Sequence, residues 1–275
     1  MTVPPAADAR PAAAAEPSPF VPAPGAAPLP RMIAAQATLE ARTLLRNGEQ
    51  LLLVLIIPVL LLIAFSRESF VNIGADTRQP RVDFLVPGII ALAIMSTAFT
   101  SQAIATGFER RYGVLKRLGA TPLSRVGLIA AKTVTVIAVE LLQAVIIIGV
   151  GLALGWRPHS TVAGAAWAVL LAVVGTAAFS GLALLMAGTL RAEATLAAAN
   201  LVYLILLGVG GVLFSLNKFP AGARGPLKLL PSGALSDGLH SVLQNAGGPP
   251  AADLAVLAIW AVVGITLAAR TFRWE

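Results

Sequence analysis

From about residue 50 onward the chain alternates long apolar runs with short charged clusters. Cutting at the charges leaves six runs, at 50–66, 84–107, 126–154, 162–190, 194–216 and 254–269. Each approaches or exceeds the roughly 20 residues that a helix needs to cross a bilayer. The first is short but extendable and carries Pro58 as a kink. Membrane barrel strands alternate over only about ten residues, so runs of this length predict spanning helices. The expected fold is therefore all-α and integral to a membrane, with six transmembrane helices.

The flanks are different. Residues 1–30 are rich in Ala and Pro without periodicity, and predict a disordered tail. In 31–47, Ile33, Ala37, Ala41, Leu44 and Leu45 share one helical side, with Arg31, Arg42 and Arg46 away from it. That is the pattern of an amphipathic helix lying in the headgroup region, although an extension of the first span fits it too. Residues 217–253 form a long loop with five prolines and two apolar patches, LKLLP and ALSDGLHSVL. Short helices dipping into the outer leaflet suit such patches.

Composition agrees: 57% of the 275 residues are hydrophobic and 12% charged, with a mean hydropathy of +0.83. A soluble domain carries about twice that charged fraction. The net charge of +7 does not indicate nucleic acid, because the basic residues sit between apolar runs without interleaved aromatics. With the N-terminus inside, 13 of the 20 Lys and Arg residues fall on the inner side, which places both termini in the cytoplasm. There is no cysteine, hence no disulfide or thiolate metal site. No metal site is expected.

Residues 108–122 read FERRYGVLKRLGATP, directly after the second run. This segment resembles the cytoplasmic stretch of ABC-2 type permeases, through Glu109, Arg110, Gly113, Leu115, Leu118, Thr121 and Pro122. The order of elements resembles that family as well: an amphipathic helix, six spans, and Leu230-Pro231 before the last span. The tail from Arg270 to Trp274 is similar to the drug-resistance branch. The resemblance covers about Arg31 to the C-terminus. It implies an ABC-2 permease fold, a second copy of this permease or a homologous one, and two copies of an ABC ATPase subunit. It further implies a bacterial plasma membrane location and outward movement of a drug-like or lipid-like amphiphile.

Glu109, Arg110, Arg111, Tyr112 and Gly113 are then the candidate docking residues for the ATPase, the first four as polar and aromatic contacts and Gly113 for close approach. Basic residues here also suit contact with anionic membrane lipid. No G-x-x-x-x-G-K-[ST] phosphate loop exists in the chain. No cofactor is expected on it, ATP and Mg belonging to the partner, and no catalytic constellation is present. His159 and His240 fall near outer ends, where solvated loop histidines are the default.

Within the spans, Glu140 is the one deep carboxylate. A bare charge there is costly, so it must be neutral, paired or facing a cavity. Lys132, eight residues earlier, is about 12 Å away along a helix, too far for direct contact, so another helix or a cavity is the expected partner. Ser96, Thr100 and Asn200 are, with Glu140, the candidates for a translocation path or subunit interface; interhelical hydrogen bonding is their other use. Gly151-x-x-x-Gly155 and Gly181 would allow close helix approach, and Gly208, Gly210 and Gly211 would soften the fifth span. A secondary transporter or channel-like protein is the alternative reading. It would want paired broken helices and several intramembrane ionisable groups, and only Glu140 is found.

Overall fold

The computed structural model describes residues 25, 27–67, 81–214, 216–244 and 248–271. The Ala/Pro-rich tail to residue 24, and the C-terminal residues past Thr271, lie outside these. Every regular element among the described residues is helical. Helix α1 spans Leu29–Arg46 and α2 Gly48–Arg67; α3 is Arg81–Ile94, continued by a π-helical stretch, Met95–Ser101, into α4, Gln102–Arg111. Then come α5 (Val114–Gly119), α6 (Arg125–Ala153), α7 (Val162–Thr189) and α8 (Ala192–Val209). Two short helices, α9 (Ala221–Lys228) and α10 (Pro231–Gln244), precede α11 (Ala251–Thr271).

Five stretches are long and apolar enough to cross a membrane: Arg81–Arg111, Arg125–Ala153, Val162–Thr189, Ala192–Val209 and Ala251–Thr271. They correspond to the second to sixth expected spans. The first expected span falls in α2, whose described apolar stretch is Val54–Arg67, below that length.

The second span is the centre of the bundle. Of its apolar window 89% is buried against the rest of the chain, compared with 22% for Ala192–Val209 and for Ala251–Thr271. Those two helices therefore turn most of their apolar surface outward, as lipid or a second subunit requires. Leu85, Ile89, Leu92, Met95 and Phe99 of the central span pack with Leu171 and Phe179 of α7 and Leu235 and Leu239 of α10.

Close packing is greatest between α7 and α11, where two glycines face each other. A Cβ on Gly181 would stand 2.8 Å from the Ile265 amide, and one on Gly264 would stand 3.1 Å from Gly181. Small residues let helix backbones meet in this way. In Gly151-x-x-x-Gly155 the two glycines have separate uses: a Cβ on Gly151 would stand 2.8 Å from Val86 of α3, so it admits the close helix approach expected, whereas Gly155 ends the helix. Gly155 lies past the end of α6 with φ +91°. Its amide bonds the Leu152 carbonyl (3.1 Å) and the Trp156 amide bonds the Gly151 carbonyl (2.9 Å). That is a Schellman stop. Ser124 and Thr161 cap the N-termini of α6 and α7, each side chain accepting an amide three residues on.

The fifth span is also shorter than expected. α8 stops at Val209, with Gly210 as its C-cap and Gly211 left-handed at φ +68°. The Gly-rich stretch terminates the helix instead of softening it. The chain then returns through α9 into α10, which is packed among α3, α7 and α11 and is buried along most of its length.

His240, expected in a solvated loop, is half-buried in this element. Its Nε2 lies 3.0 Å from the Phe84 carbonyl and its Nδ1 2.6 Å from that of Ser236. His159 is exposed, as expected.

Candidate translocation groove and coupling elements

The amphipathic pattern of 31–47 becomes the contact between α1 and α6. Ala37 is buried, while Leu39 and Leu45 are exposed. Met32, off the expected stripe, packs on Leu115, Leu123 and Leu128. Glu40 stands seven residues after Ile33 and so lies on the apolar side of α1. It points at α6, where Lys132 meets it.

Lys132 is the hub of this end. Its side chain is 4% exposed, and Nζ lies 2.7 Å from Glu109 Oε2 and 3.2 Å from Glu40 Oε1. A buried ammonium without partners would cost several kcal/mol; two carboxylates from two other helices offset that. Burial is also the main influence on Glu40 and holds its carboxyl above the usual value, against the pull of Lys132 and the hydrogen bond from Gln36. The triad ties α1, α4 and α6 together. Sequence reasoning weighed Lys132 only against Glu140. The available signal was a carboxylate on the apolar side of α1 together with a lysine inside a span.

The remaining docking candidates sit just beyond. Arg110 donates to the Leu190 carbonyl and Arg111 pairs with Glu193, so both reach the turn between α7 and α8. Tyr112 is 70% exposed, its ring stacked on Phe108 at 6.1 Å. Gly113 turns the chain from α4 into α5 with φ +73°, and a Cβ there would meet nothing within 4 Å. Within the chain its glycine serves backbone conformation.

Ser96, Thr100 and Asn200 converge. They line one cavity of about 590 Å³ between α2, the π-helical stretch and α8, with Ile57, Pro58 and Tyr203 in its walls. The π-helical stretch carries Ser96 and Thr100; such irregular turns recur at functional sites. It is braced by a chain of side-chain bonds. Thr97 donates to Gln143 (3.1 Å), and Gln143 donates to the Val54 carbonyl of α2 (2.9 Å). Asn200 is exposed, with its amide bonded to the Leu196 carbonyl at 3.0 Å.

A second cavity of about 300 Å³ adjoins this groove. It is lined by the Glu40–Lys132–Glu109 triad with Gln102 and Thr106, and shares Asn47, Ser101 and Ala105 with the groove. A charged chamber at the basic end thus abuts an uncharged groove whose walls mix Val54, Ile57, Leu92 and Ile104 with polar side chains.

Glu140 is elsewhere. It lies in neither cavity, and its Oε2 accepts from Thr176 of α7. The expected partner on another helix is therefore Thr176, and the structure separates Glu140 from Ser96, Thr100 and Asn200.

Residues 77–270 match the family model described as ABC-2 family transporter protein. The chain belongs to that family. No curated protein matches it. As an ABC-2 permease it is a multi-pass membrane transport subunit of an ABC transporter and is not itself catalytic. The all-helical bundle with its apolar spans agrees with the ABC-2 permease fold. Membership also implies an ATPase partner, which an ABC-2 permease needs as its energy source.

Proposed function

We propose that this chain is the membrane half of a bacterial ABC exporter of the drug-resistance branch. Two permeases, this one paired with itself or a homologue, work with two ATPase subunits in the plasma membrane, with both termini cytoplasmic. ATP and Mg sit on the ATPase, and this chain holds no cofactor. The substrate is a drug-like or lipid-like amphiphile. It enters the polar chamber at the basic end and passes into the groove lined by Ser96, Thr100 and Asn200.

The adjoining of these two cavities carries the reading. One offers charge to a head group, the next an uncharged wall of Val54, Ile57, Leu92 and Ile104 to a tail, beside the hydroxyls of Ser96 and Thr100, as an amphiphile requires. Around the groove, Leu52, Ile56 and Leu60 of α2 and Leu201 and Leu204 of α8 are exposed. A second permease across the first and fifth spans would complete the groove.

Docking of the ATPase on residues 108–122 supplies the drive. Glu109 is linked to α1 and α6 through Lys132, and Arg110 and Arg111 to the α7–α8 turn. Displacement of this segment would therefore be felt by four helices. The α1 helix lies along the cytoplasmic headgroups, where lipid contacts its exposed Leu39 and Leu45.

Reconstitution tests the proposal. The permease and ATPase should copurify, and vesicles holding both should move a fluorescent amphiphile outward only with ATP. Transport by this chain alone on an ion gradient would overturn it.

A further inference from the structure

On another side of the bundle, α3, α6, α7 and α10 enclose a cavity of about 240 Å³. Ala165, Ala168, Ala172 and Thr176 follow one face of α7 at helical spacing, and their small side chains leave the space that forms it. Facing walls come from Ile90, Ile94, Ile137 and Ile147. Around it Leu141, Val169 and Val173 are exposed on the outer surface of the bundle. Its entrance therefore faces the surrounding lipid.

One ionisable group lines this space. Glu140 is 8% exposed, and while Oε2 accepts from Thr176, Oε1 is buried with no hydrogen-bond partner among the described residues. Trp156 also lines the cavity, with its indole Nε1 buried and without a partner among the described residues. It packs on Gly151, eleven residues or roughly 16 Å along α6 from Glu140. A buried polar atom left unsatisfied is destabilising, more so when charged. The site lacks a donor at Oε1.

We propose that this cavity binds a small lipophilic amine that enters from the bilayer and sets its ammonium N–H against Glu140 Oε1. The apolar walls take its hydrocarbon body. A plain acyl chain would leave Oε1 unsatisfied. An anionic head would meet a carboxyl group with no Lys, Arg or His in the lining. The cavity is smaller than the roughly 300–1,000 Å³ of sites for drug-sized ligands, so the amine is compact or inserts only one end. This site is separate from the groove of the proposed export path.

The test uses the full chain in lipid nanodiscs and an octylamine with a photoreactive diazirine in its tail. The amine should label the walls in α6 and α7. Labelling should fall at least about tenfold, or about 1.4 kcal/mol, in Glu140→Gln and in the space-filling Ala172→Leu. The matched octanol and octanoate probes should label these walls far less. Undiminished labelling in either folded variant, or equal labelling by the alcohol or the acid, would overturn the proposal in favour of ordinary lipid contact. The assay needs neither ATP nor the ATPase, so its outcome is independent of the exporter reading.

Discussion

Lys132 Nζ lies 2.7 Å from the carboxylate of Glu109, 23 residues earlier, so the start of one spanning helix is fastened to the end of another. Glu40 completes the contact from a third helix at 3.2 Å. Because Lys132 is buried, the link is shielded from the solvent screening that weakens surface pairs.

Replacing Lys132 by Met should leave two carboxylates facing each other without their cation. Removing one partner of a buried pair costs about 3–5 kcal/mol. A large drop in the unfolding midpoint of the purified permease is expected, with a smaller one for Glu109→Gln. Equal midpoints for wild type and Lys132→Met would refute the triad as a structural link.

The Glu40 carboxyl is raised from 4.5, chiefly by burial. A raised carboxyl binds its proton more tightly in the folded state. Its stabilising contribution is thus full below pH 4.5 and is lost as pH rises through the folded value. The difference in melting temperature between wild type and Glu40→Gln should therefore shift against wild type as pH rises above 4.5, then level off. A difference independent of pH would contradict this.

At the α7–α11 contact, Gly181→Val would drive a side chain into the backbone at Gly264 and Ile265. Overpacking typically costs about 1–3 kcal/mol. Thermal unfolding should show that loss, whereas Gly222→Ala, where a Cβ meets nothing within 4 Å, should be close to neutral.

Tyr112 is the most exposed aromatic in the proposed docking segment. Tyr112→Ala should leave the permease's own stability within about 0.5 kcal/mol, as surface changes do. Recovery of the ATPase in copurification should drop by about tenfold, the scale of an aromatic hot spot. Full recovery would move the docking surface elsewhere.

The spans were legible because a bilayer demands long uninterrupted apolar helices, and that demand is written in consecutive residues. The 108–122 motif and the order of elements were equally local, and the family assignment follows them. Helix ends were less so: Gly210 and Gly211 read as softening the fifth span, and only the left-handed φ of Gly211 shows that they end it. His240 read as a loop residue because its contact is with α3, more than 150 residues earlier in the chain.

The sequence by itself therefore determined a helical membrane permease, through run length, charge placement and a short motif. Tertiary structure alone decided which polar groups meet. It gave Lys132 to Glu40 and Glu109, gave Glu140 to Thr176, and gathered Ser96, Thr100 and Asn200 into one groove. The reason is physical. Periodicity reports which face of a helix a residue occupies, but contact between helices depends on packing rotations set by small residues such as Gly181 and Gly264, far apart in the chain.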